Sequence, residues 1–368
     1  MTASDSPRSS ACFERVLIVR LSSMGDVVHA LPAAVLLREA FPHAHIGWLI
    51  EERWGVLLCA MSTVRSGPLS QQRPLVNAIH TVHLKHWRRT LTSNLTWERI
   101  GASLSDLRSH RYQVAVDLQG AARSAILARW SGAPAIFGAA RPRENLASMW
   151  YTRQVMTERP HVVEQYAEIA SAVAGQNHPI PDAIFPSDPA AEQAVVKRLA
   201  ELALRDFVIL NPGAGWGAKQ WPAERYGEIA KALAARGVPS IINVGPGEDE
   251  LAQIAEKASD GAARALSFSV GELIALTRRA RLFIGGDTGP MHLAAALHVP
   301  IVALFGPTDP ARNGPVRTRS IVLRNPASRT SLSHRTEPDP GLLAITSEEV
   351  LASANKLLET SRLENSRG

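Results

Sequence analysis

The chain has 368 residues, more than one ordinary hydrophobic core organises at roughly 100–200 residues per domain, so two domains are expected. Hydrophobic residues make up 45% and charged residues 20%, a composition that excludes a largely disordered protein. The formal net charge of +6 is modest for this length. It favours an anionic substrate or a membrane surface at least as much as nucleic acid.

Cysteine content and apolar runs exclude two further classes. The only cysteines, Cys12 and Cys59, form no paired motif, so neither a disulfide scaffold nor a cysteine zinc site is expected, and a reducing compartment fits. No apolar run approaches the roughly 20 residues of a membrane span. Residues 1–14 are polar and lack the apolar core of a signal peptide. The sequence therefore predicts a cytoplasmic protein, with contact to a membrane surface left open.

From Arg15 onward, short runs rich in Val and Ile alternate with amphipathic stretches, which is typical of a parallel sheet covered on both faces. The first run, Val16–Leu21, predicts a buried strand, and a short loop joins it to a predicted helix at Val27–Ala40. The other elements predicted in this half are strands at His45–Ile50, Ala78–Leu84 and Gln113–Leu118 and helices at Trp97–His110 and Ala121–Trp130.

Residues 175–191 concentrate Pro, Asn and Asp and predict an interdomain boundary, because proline breaks helices. The alternation then restarts, with strands predicted at Phe207–Leu210, Ser240–Val244, Leu282–Gly285 and Ile301–Phe305 and helices at Pro222–Arg236, Glu248–Ser259, Val270–Ala280 and Pro290–Leu297. We predict an α/β protein of two Rossmann-like domains that face each other across a cleft, with ligands at the carboxyl ends of the strands. The predicted segments are a disordered extension (1–14), a first domain (15–178), a linker (179–191), a second domain (192–323) and a loop with a C-terminal helix (324–368).

The loop after the first predicted strand, Ser22–Asp26, ends in a carboxylate at the start of a helix. Asp26 at this position could cap the helix by accepting from its free N–H groups. It could also serve as a general base that takes a proton from an attacking hydroxyl. One side chain can do both, so both interpretations stay open.

In the second half, the segment Gly285–His292 runs from a strand through glycines into a helix with Pro290 near its start. Free N–H groups and the positive end of the helix dipole favour a phosphate site there, although a tight turn that needs glycine explains the same pattern. His292 would lie in the first turn and could face the anion, or it could be a packing residue.

Two further loops follow strands. Asn211–Trp221 lacks the spacing of a phosphate-binding P-loop, but Lys219 could reach a phosphate as a point charge, or it could be a solvated surface lysine. Glu248, in Gly245–Glu248, could accept from ribose hydroxyls, or it could be a surface residue at a helix start. The sequence leaves these alternatives open.

Basic residues mark the first half. Lys85–Arg89 combines four basic side chains with Trp87, and Arg123 and Arg143 lie near later strand ends. Such residues form either a solvated face or a site for an acidic acceptor. No helix-turn-helix, zinc-finger or stacking-platform pattern accompanies them, so nucleic acid is not a predicted partner.

Together these motifs resemble the lipopolysaccharide heptosyltransferases of glycosyltransferase family 9, from about Val16 to Pro315. The resemblance rests on VLIVRLSSMGD (Val16–Asp26), VDLQG (Val116–Gly120), KQWP (Lys219–Pro222), and GGDTGPMHLAAAL with the following FGPTDP (within Gly285–Pro310). The SSMGD segment favours the type I branch of the family.

The resemblance implies a GT-B fold, with an N-terminal domain for the acceptor and a C-terminal domain for the nucleotide-sugar. It implies an inverting transfer of L-glycero-D-manno-heptose from ADP-heptose to Kdo of the lipid A inner core. It also implies peripheral attachment to the cytoplasmic face of the inner membrane. No Asp-x-Asp metal motif follows a suitable strand, so no metal or other cofactor is expected.

By the same resemblance, Asp26 matches the catalytic base. The matching donor-binding residues are Gly215, Lys219, Glu248, Phe268, Asp287, Thr288, Gly289 and His292. The matching acceptor-binding residues are Arg20, Ser22, Ser23, Lys85, Arg88, Arg89, Arg123 and Arg143. Two positions depart from the family pattern: the loop Gly213–Gly217 is glycine-rich where threonines usually face the phosphates, and Phe268 replaces a methionine that commonly packs near adenine.

Three alternatives remain open at this stage. The chain could be a family-9-like glycosyltransferase with a different nucleotide-sugar or acceptor. It could be a nucleotide-sugar-binding protein without catalysis, although Asp26 and the GGDTGP loop argue against that interpretation. A nucleotide-sugar epimerase of similar fold is the third alternative.

Overall fold

The computed structural model describes residues 12–90, 92–331 and 335–365, without the side chains of Lys85, His86, Arg88 and residues 361–365. Most of the extension predicted at 1–14 lies outside the described residues. The chain divides into two compact units between Ser187 and Asp188. This division falls within the segment 179–191.

The first unit is a six-stranded parallel sheet with helices. Its elements are β1 (Arg15–Val19), α1 (Met24–Ala40), β2 (His45–Glu51), β3 (Ala78–Val82), α2 (Leu84–Arg89), α3 (Asn94–Ser109), β4 (Val114–Asp117), α4 (Ala122–Trp130), β5 (Ala135–Ala139), β6 (Arg153–Val155) and α5 (Val162–Ala174). Two 3₁₀ turns, Glu52–Leu57 and Asn145–Trp150, complete it.

The strands of this sheet lie in the order β3-β2-β1-β4-β5-β6. The apolar side chains of β1 are fully buried, which is why this strand has an uninterrupted hydrophobic run. From β1, strands β2 and β3 are added on one side of the sheet and β4, β5 and β6 on the other. The crevice at such a switch point is where open α/β sheets bind ligands. The loops after β1 and β4 are therefore where a ligand site of this unit is expected.

The second unit repeats the plan. Its elements are α6 (Pro189–Glu201), β7 (Val208–Asn211), α7 (Ala223–Ala234), β8 (Ser240–Val244), α8 (Asp249–Ala258), β9 (Ala263–Ser267), α9 (Val270–Thr277), β10 (Leu282–Gly286), α10 (Gly289–Ala296), β11 (Ile301–Phe305), α11 (Pro310–Asn313), β12 (Ser320–Arg324), α12 (Pro340–Ala344) and α13 (Ser347–Asn365). The strand order β12-β11-β10-β7-β8-β9 puts the switch point between β7 and β10.

Hydrophobic periodicity missed several elements. The strands β6, β9 and β12 lie at sheet edges and are only partly buried, so they lack the apolar run that marks a central strand. The helix α5 was also missed although its apolar spacing is clear and His161 accepts from the Val163 amide at its start. In this case a usable sequence signal was present.

Three segment boundaries differ from those expected. Phe13 and Glu14, assigned to the disordered extension, are ordered: the Phe13 ring packs edge-on against Phe41, and the Glu14 amide donates to Gln113 Oε1 at 2.7 Å. The helix α6 begins inside the expected linker, with Asp188 accepting from the Ala191 amide. The helix α13 packs against α7 and β11, so it belongs to the core of the second unit.

None of the helices in the described part of the chain combines the length and apolar character needed to cross a bilayer.

A cluster of histidines lies in the first unit, toward the amino ends of β2 and β4. His45 Nε2 lies 3.0 Å from His110 Nδ1, and His80 contacts both Asp106 Oδ2 and the Tyr112 hydroxyl at 2.7 Å. Burial of the ring, and then repulsion from His110 and other cationic neighbours, lower the pKa of His45 from 6.5 to about 4. His45 is therefore neutral in the folded protein at mildly acidic pH.

We expect the free energy of unfolding to fall as pH drops from about 6.5 toward about 4, because the unfolded chain protonates His45 while the folded chain does not. At pH 5 this amounts to about 1 kcal/mol once solvent screening of a half-exposed ring is allowed for. Urea unfolding at pH 7 and pH 5 measures it. His45→Gln should lose less stability between the two pH values than the wild type, whereas a control at the exposed His43, His43→Gln, should lose as much. Equal losses for all three proteins would contradict the assignment.

Candidate active site

Asp26 lies at the switch point of the first unit, in the first turn of α1. Its Oδ2 accepts from both the amide and the hydroxyl of Ser23 at 2.9 Å. Ser23 is therefore the N-cap residue, and Asp26, as the third residue of the helix, completes a capping box instead of accepting from the free N–H groups of the first turn. Its side chain is nevertheless 35% exposed. The carboxylate is oriented by the helix start and still reachable by a substrate.

Arg20 occupies a different place from the one expected of an acceptor contact. It is 3% exposed, its Nη2 lies 2.5 Å from Asp26 Oδ1, and its Nη1 donates to the Leu118 carbonyl at 3.0 Å. The guanidinium also lies 5.5 Å from the centroid of the Tyr166 ring. Arg20 is thus buried behind the loop, where it holds Asp26.

The turn between β4 and α4 supports this loop. Gln119 Oε1 accepts from the Leu21 amide at 2.8 Å. Asp117, buried at the end of β4, accepts from the Gln119 amide at 2.9 Å and from the Tyr151 hydroxyl at 2.8 Å. Burial raises the pKa of Asp117, against the effect of these donors. The motif Val116–Gly120 was recognised from sequence, but its role as a support for the Asp26 loop was not.

Most of the remaining acceptor candidates are exposed. Ser22 is half-buried and Ser23 exposed in the Asp26 loop. Arg123 is exposed at the start of α4, and Arg143 is exposed with its backbone against Gly120, at the same edge of the sheet. Arg89 is exposed at the end of α2. The side chains of Lys85 and Arg88 lie outside the described residues.

In the second unit, the loops after β7 and β10 meet at a buried ion pair. Lys219 Nζ lies 2.6 Å from Asp287 Oδ2 and 3.2 Å from the Asp287 carbonyl oxygen. His292 Nε2 lies 2.9 Å from Asp287 Oδ1. Since an ionised carboxylate only accepts hydrogen bonds, this nitrogen carries the proton. Three of the candidate donor-binding residues are therefore in direct contact.

The charge state of this group follows from its partners. Burial alone raises the pKa of Asp287, but the hydrogen bond and charge of His292, and then Lys219, outweigh it and hold the pKa well below its usual range. A lysine ammonium has three N–H donors, and two of them face Asp287. Among the described residues no acceptor contacts the third, and the centroid of the Trp216 ring lies 4.9 Å from Nζ.

The helix α10 begins beside this pair. Thr288 is its N-cap and Gly289 its first residue, so Pro290 lies one position later than the sequence predicted. The amides of a first turn have no partner within their own helix, and the dipole makes that end positive. Together with Lys219, the start of α10 offers a site for a phosphate.

Glu248, in the loop after β8, packs its carboxyl group against Gly213 in the loop after β7. Its Oε2 accepts from the Gly245 amide at 2.8 Å, and burial raises its pKa. A Cβ at Gly213 would lie 2.0 Å from the Glu248 carboxyl carbon, so a side chain at position 213 would displace this carboxyl group from its place against the loop. Asn211 donates to the Gly213 carbonyl at 3.0 Å and fixes the loop.

Two donor candidates lie farther along this edge. Gly215 is exposed in the loop after β7, with open space where a side chain would be. Phe268 follows β9, is half-buried, and has the Arg198 guanidinium 5.5 Å from its ring centroid. All the donor candidates therefore lie at the carboxyl ends of four neighbouring strands, β10, β7, β8 and β9.

Two Rossmann-like α/β units, each with a parallel six-stranded sheet, are the architecture of GT-B glycosyltransferases. A family model described as glycosyltransferase family 9 (heptosyltransferase) matches residues 101–341, more than half of the chain. The chain belongs to glycosyltransferase family 9.

Relatives and solved structures agree. Lipopolysaccharide heptosyltransferase 1 of Pseudomonas aeruginosa is 30% identical over 82% of this chain and 81% of its own length. The structure of Escherichia coli heptosyltransferase WaaC with ADP superposes with a TM-score of 0.73 at 26% identity, covering 93% of this chain and 99% of that one. A family 9 glycosyl transferase from Veillonella parvula, 23% identical, gives a TM-score of 0.77 over 94% of this chain and 98% of its own, and shows the fold.

These comparisons confirm the family, the GT-B fold and the type I likeness expected from sequence. The protein is a glycosyltransferase that transfers heptose in lipopolysaccharide core synthesis.

Proposed function

We propose that the donor is ADP-heptose and that the acceptor is Kdo of the lipid A inner core, to which heptose is transferred with inversion. The observation that carries the proposal is the contact of Lys219 with buried Asp287 beside the start of α10. This contact keeps the Lys219 ammonium next to the amides at the start of α10, and these groups are of the kind that bind a diphosphate. A relative 26% identical over 93% of this chain, the Escherichia coli enzyme, is known with ADP-2-deoxy-2-fluoro heptose.

The donor site would use the four strand ends of the second unit. The diphosphate contacts Lys219 and the amides of Thr288 and Gly289. Asp287 and His292 hold the lysine in position and fix the loop that faces the heptose. Glu248 accepts from ribose hydroxyls, and its partial burial favours such a contact with a neutral donor. Phe268 packs on adenine. Gly215 offers its backbone amide to the phosphates.

In the transfer step, Asp26 takes the proton of the acceptor hydroxyl as that oxygen attacks the anomeric carbon. The bond from this carbon to the ADP oxygen breaks on the opposite face. Lys219 and the start of α10 stabilise the negative charge that builds on the departing diphosphate, and such prearranged donors are usually the largest catalytic contribution. Arg20 acts through Asp26, whose carboxylate it orients.

The acceptor is anionic, with carboxylates on Kdo and phosphates on lipid A, and the candidate contacts are basic or hydroxylic. Ser22, Ser23, Arg123 and Arg143 lie at the edge that carries Asp26. The basic stretch Lys85–Arg89 follows β3 at the same edge of the sheet. We further propose that the protein works at the cytoplasmic face of the inner membrane, bound peripherally through charge, so that high salt releases it.

Incubation with ADP-heptose and a Kdo-bearing lipid A acceptor tests the function directly. Mass analysis of the acceptor should show the mass of one added heptose and no further addition. A panel of other nucleotide-sugars, compared by thermal stabilisation, controls for donor identity, because a true ligand stabilises the folded state by mass action. Addition of another sugar in preference to heptose would contradict the proposed donor.

Asp26→Asn should lower kcat by about 10²-fold or more, the scale of a general base, and leave the affinity for ADP-heptose unchanged. The Asn side-chain oxygen can still accept from the Ser23 amide, so the helix start should persist. Glu39→Gln also replaces a carboxylate by an amide, at an exposed position of α1. It is the matched control and should keep wild-type turnover. Turnover of Asp26→Asn near the wild-type value would remove this residue from the role of base.

Lys219→Ala should weaken ADP binding by about tenfold or more, because a charge-assisted contact with phosphate is lost. It should also lower kcat, since the leaving diphosphate loses a cation. Isothermal titration calorimetry with ADP measures the first effect, and Lys197→Ala, at an exposed lysine of α6, is the control. Unchanged ADP affinity in folded Lys219→Ala would argue against the phosphate contact.

A further inference from the structure

Large apolar side chains are exposed together in the segment after β5. Leu146 is 65% exposed, Met149 78%, Trp150 39% and Met156 59%. Single exposed apolar residues are ordinary on protein surfaces, and several within one short segment point to a contact with an apolar partner only when a second feature accompanies them. The roles proposed above for the two switch-point sites use none of these four residues.

The segment is held by the fold. Residues 145–150 form a 3₁₀ turn, in which residues three apart lie on the same side. Leu146 and Met149 therefore project side by side. Ala147 is fully buried, and Tyr151, the residue after the turn, is buried with its hydroxyl 2.8 Å from Asp117 Oδ2. The apolar side chains are thus presented outward on a fixed backbone.

Three exposed arginines lie in the same segment as these apolar side chains. We define the 141–156 surface as the exposed side chains from Arg141 to Met156. It contains Arg141, Arg143 and Arg153, all exposed, against one acidic residue, Glu144, whose carboxylate accepts from the Ala122 amide at 2.9 Å. Apolar side chains with an interfacial tryptophan and a border of arginines fit the surface of an anionic bilayer, where the apolar groups enter the acyl boundary and the cations meet phosphates.

The 141–156 surface adjoins the edge of the sheet that carries Asp26. A Cβ built on Gly120 would lie 3.0 Å from the backbone nitrogen of Arg143. The Glu144 amide donates to the Gly120 carbonyl at 2.9 Å. Gly120 belongs to the turn after β4, and the same turn supports the Asp26 loop through Gln119. A bilayer contacted by this surface would therefore lie next to the candidate acceptor site.

We propose that the 141–156 surface docks on the anionic phospholipid bilayer that carries the acceptor. This inference rests on the proposed function, in which the acceptor is a membrane lipid. It specifies the attachment further, because binding requires insertion of Leu146, Met149 and Trp150 as well as attraction between charges.

Sedimentation with vesicles of phosphatidylcholine and phosphatidylglycerol in equal parts tests the proposal on the full chain. The wild type should bind these vesicles and bind pure phosphatidylcholine far more weakly. Leu146→Ser/Met149→Ser should reduce the partition coefficient by about tenfold or more, because each buried methylene contributes to membrane affinity. Met61→Ser/Val64→Ser is the matched control, since these residues of the same unit are 79% and 75% exposed, and it should bind like the wild type.

Two further measurements do not depend on that double variant. Arg141→Gln/Arg153→Gln should weaken binding to the anionic vesicles several-fold and reduce its sensitivity to salt. Lipids brominated in their acyl chains should quench the fluorescence of the wild type more than that of Trp150→Phe, because Trp150 would lie at the acyl boundary. Equal quenching of the two proteins would place Trp150 outside the bilayer and overturn the proposal.

Activity separates this inference from the proposed function. With the acceptor in vesicles, Leu146→Ser/Met149→Ser should have a lower kcat/KM than the wild type, whereas with a deacylated, water-soluble acceptor the two should be equal. A wild type that binds vesicles but transfers no heptose to either acceptor would refute the proposed function and leave the docking surface standing. Wild-type vesicle binding by the double variant, or loss of a concentration-dependent dimer instead of vesicle binding, would overturn the docking surface.

Discussion

The contact of Lys219 with buried Asp287 is the interaction on which the donor site proposed for the second unit depends. It joins the loop after β7 to the loop after β10, the two strands that flank the switch point of the sheet. A carboxylate this deeply buried is stable only when its charge is paired and its oxygens are hydrogen-bonded, and His292 completes that requirement. The same pairing holds a lysine ammonium at the start of α10, so one group of side chains meets the demands of folding and supplies the cation of the proposed diphosphate site.

The first unit uses a related arrangement at its own switch point. Arg20 is buried and paired with Asp26, and its second contact is the Leu118 carbonyl at the end of β4. In this pair the cation is buried and the carboxylate is partly exposed, whereas in the Lys219–Asp287 pair the carboxylate is the more deeply buried group. The Asp26 carboxylate is therefore the group offered outward, which suits the removal of a proton, while Lys219 keeps one donor for an anion, which suits a diphosphate.

Much of the fold followed from the sequence, because central parallel strands are apolar on both faces. Val16–Val19 and Ile301–Phe305 have continuous apolar runs and were located within one or two residues. Edge strands such as β6 and β12 lack that pattern and were missed. Asp117 lay inside a recognised motif, yet it accepts from Tyr151, 34 positions further along the chain, as well as from nearby Gln119. Sequence periodicity reports only on neighbours along the chain, so such contacts escape it.

By itself, the sequence determined the α/β alternation, the family and the loops after strands in which the candidate residues lie, because these depend on local patterns and short motifs. Only the tertiary structure decided that Arg20 is buried against Asp26, that Lys219 meets Asp287 from 68 positions away, and that Leu146 and Met149 are exposed beside arginines. Burial and pairing depend on which distant segments the sheet order brings together, and strand order is a property of the folded chain.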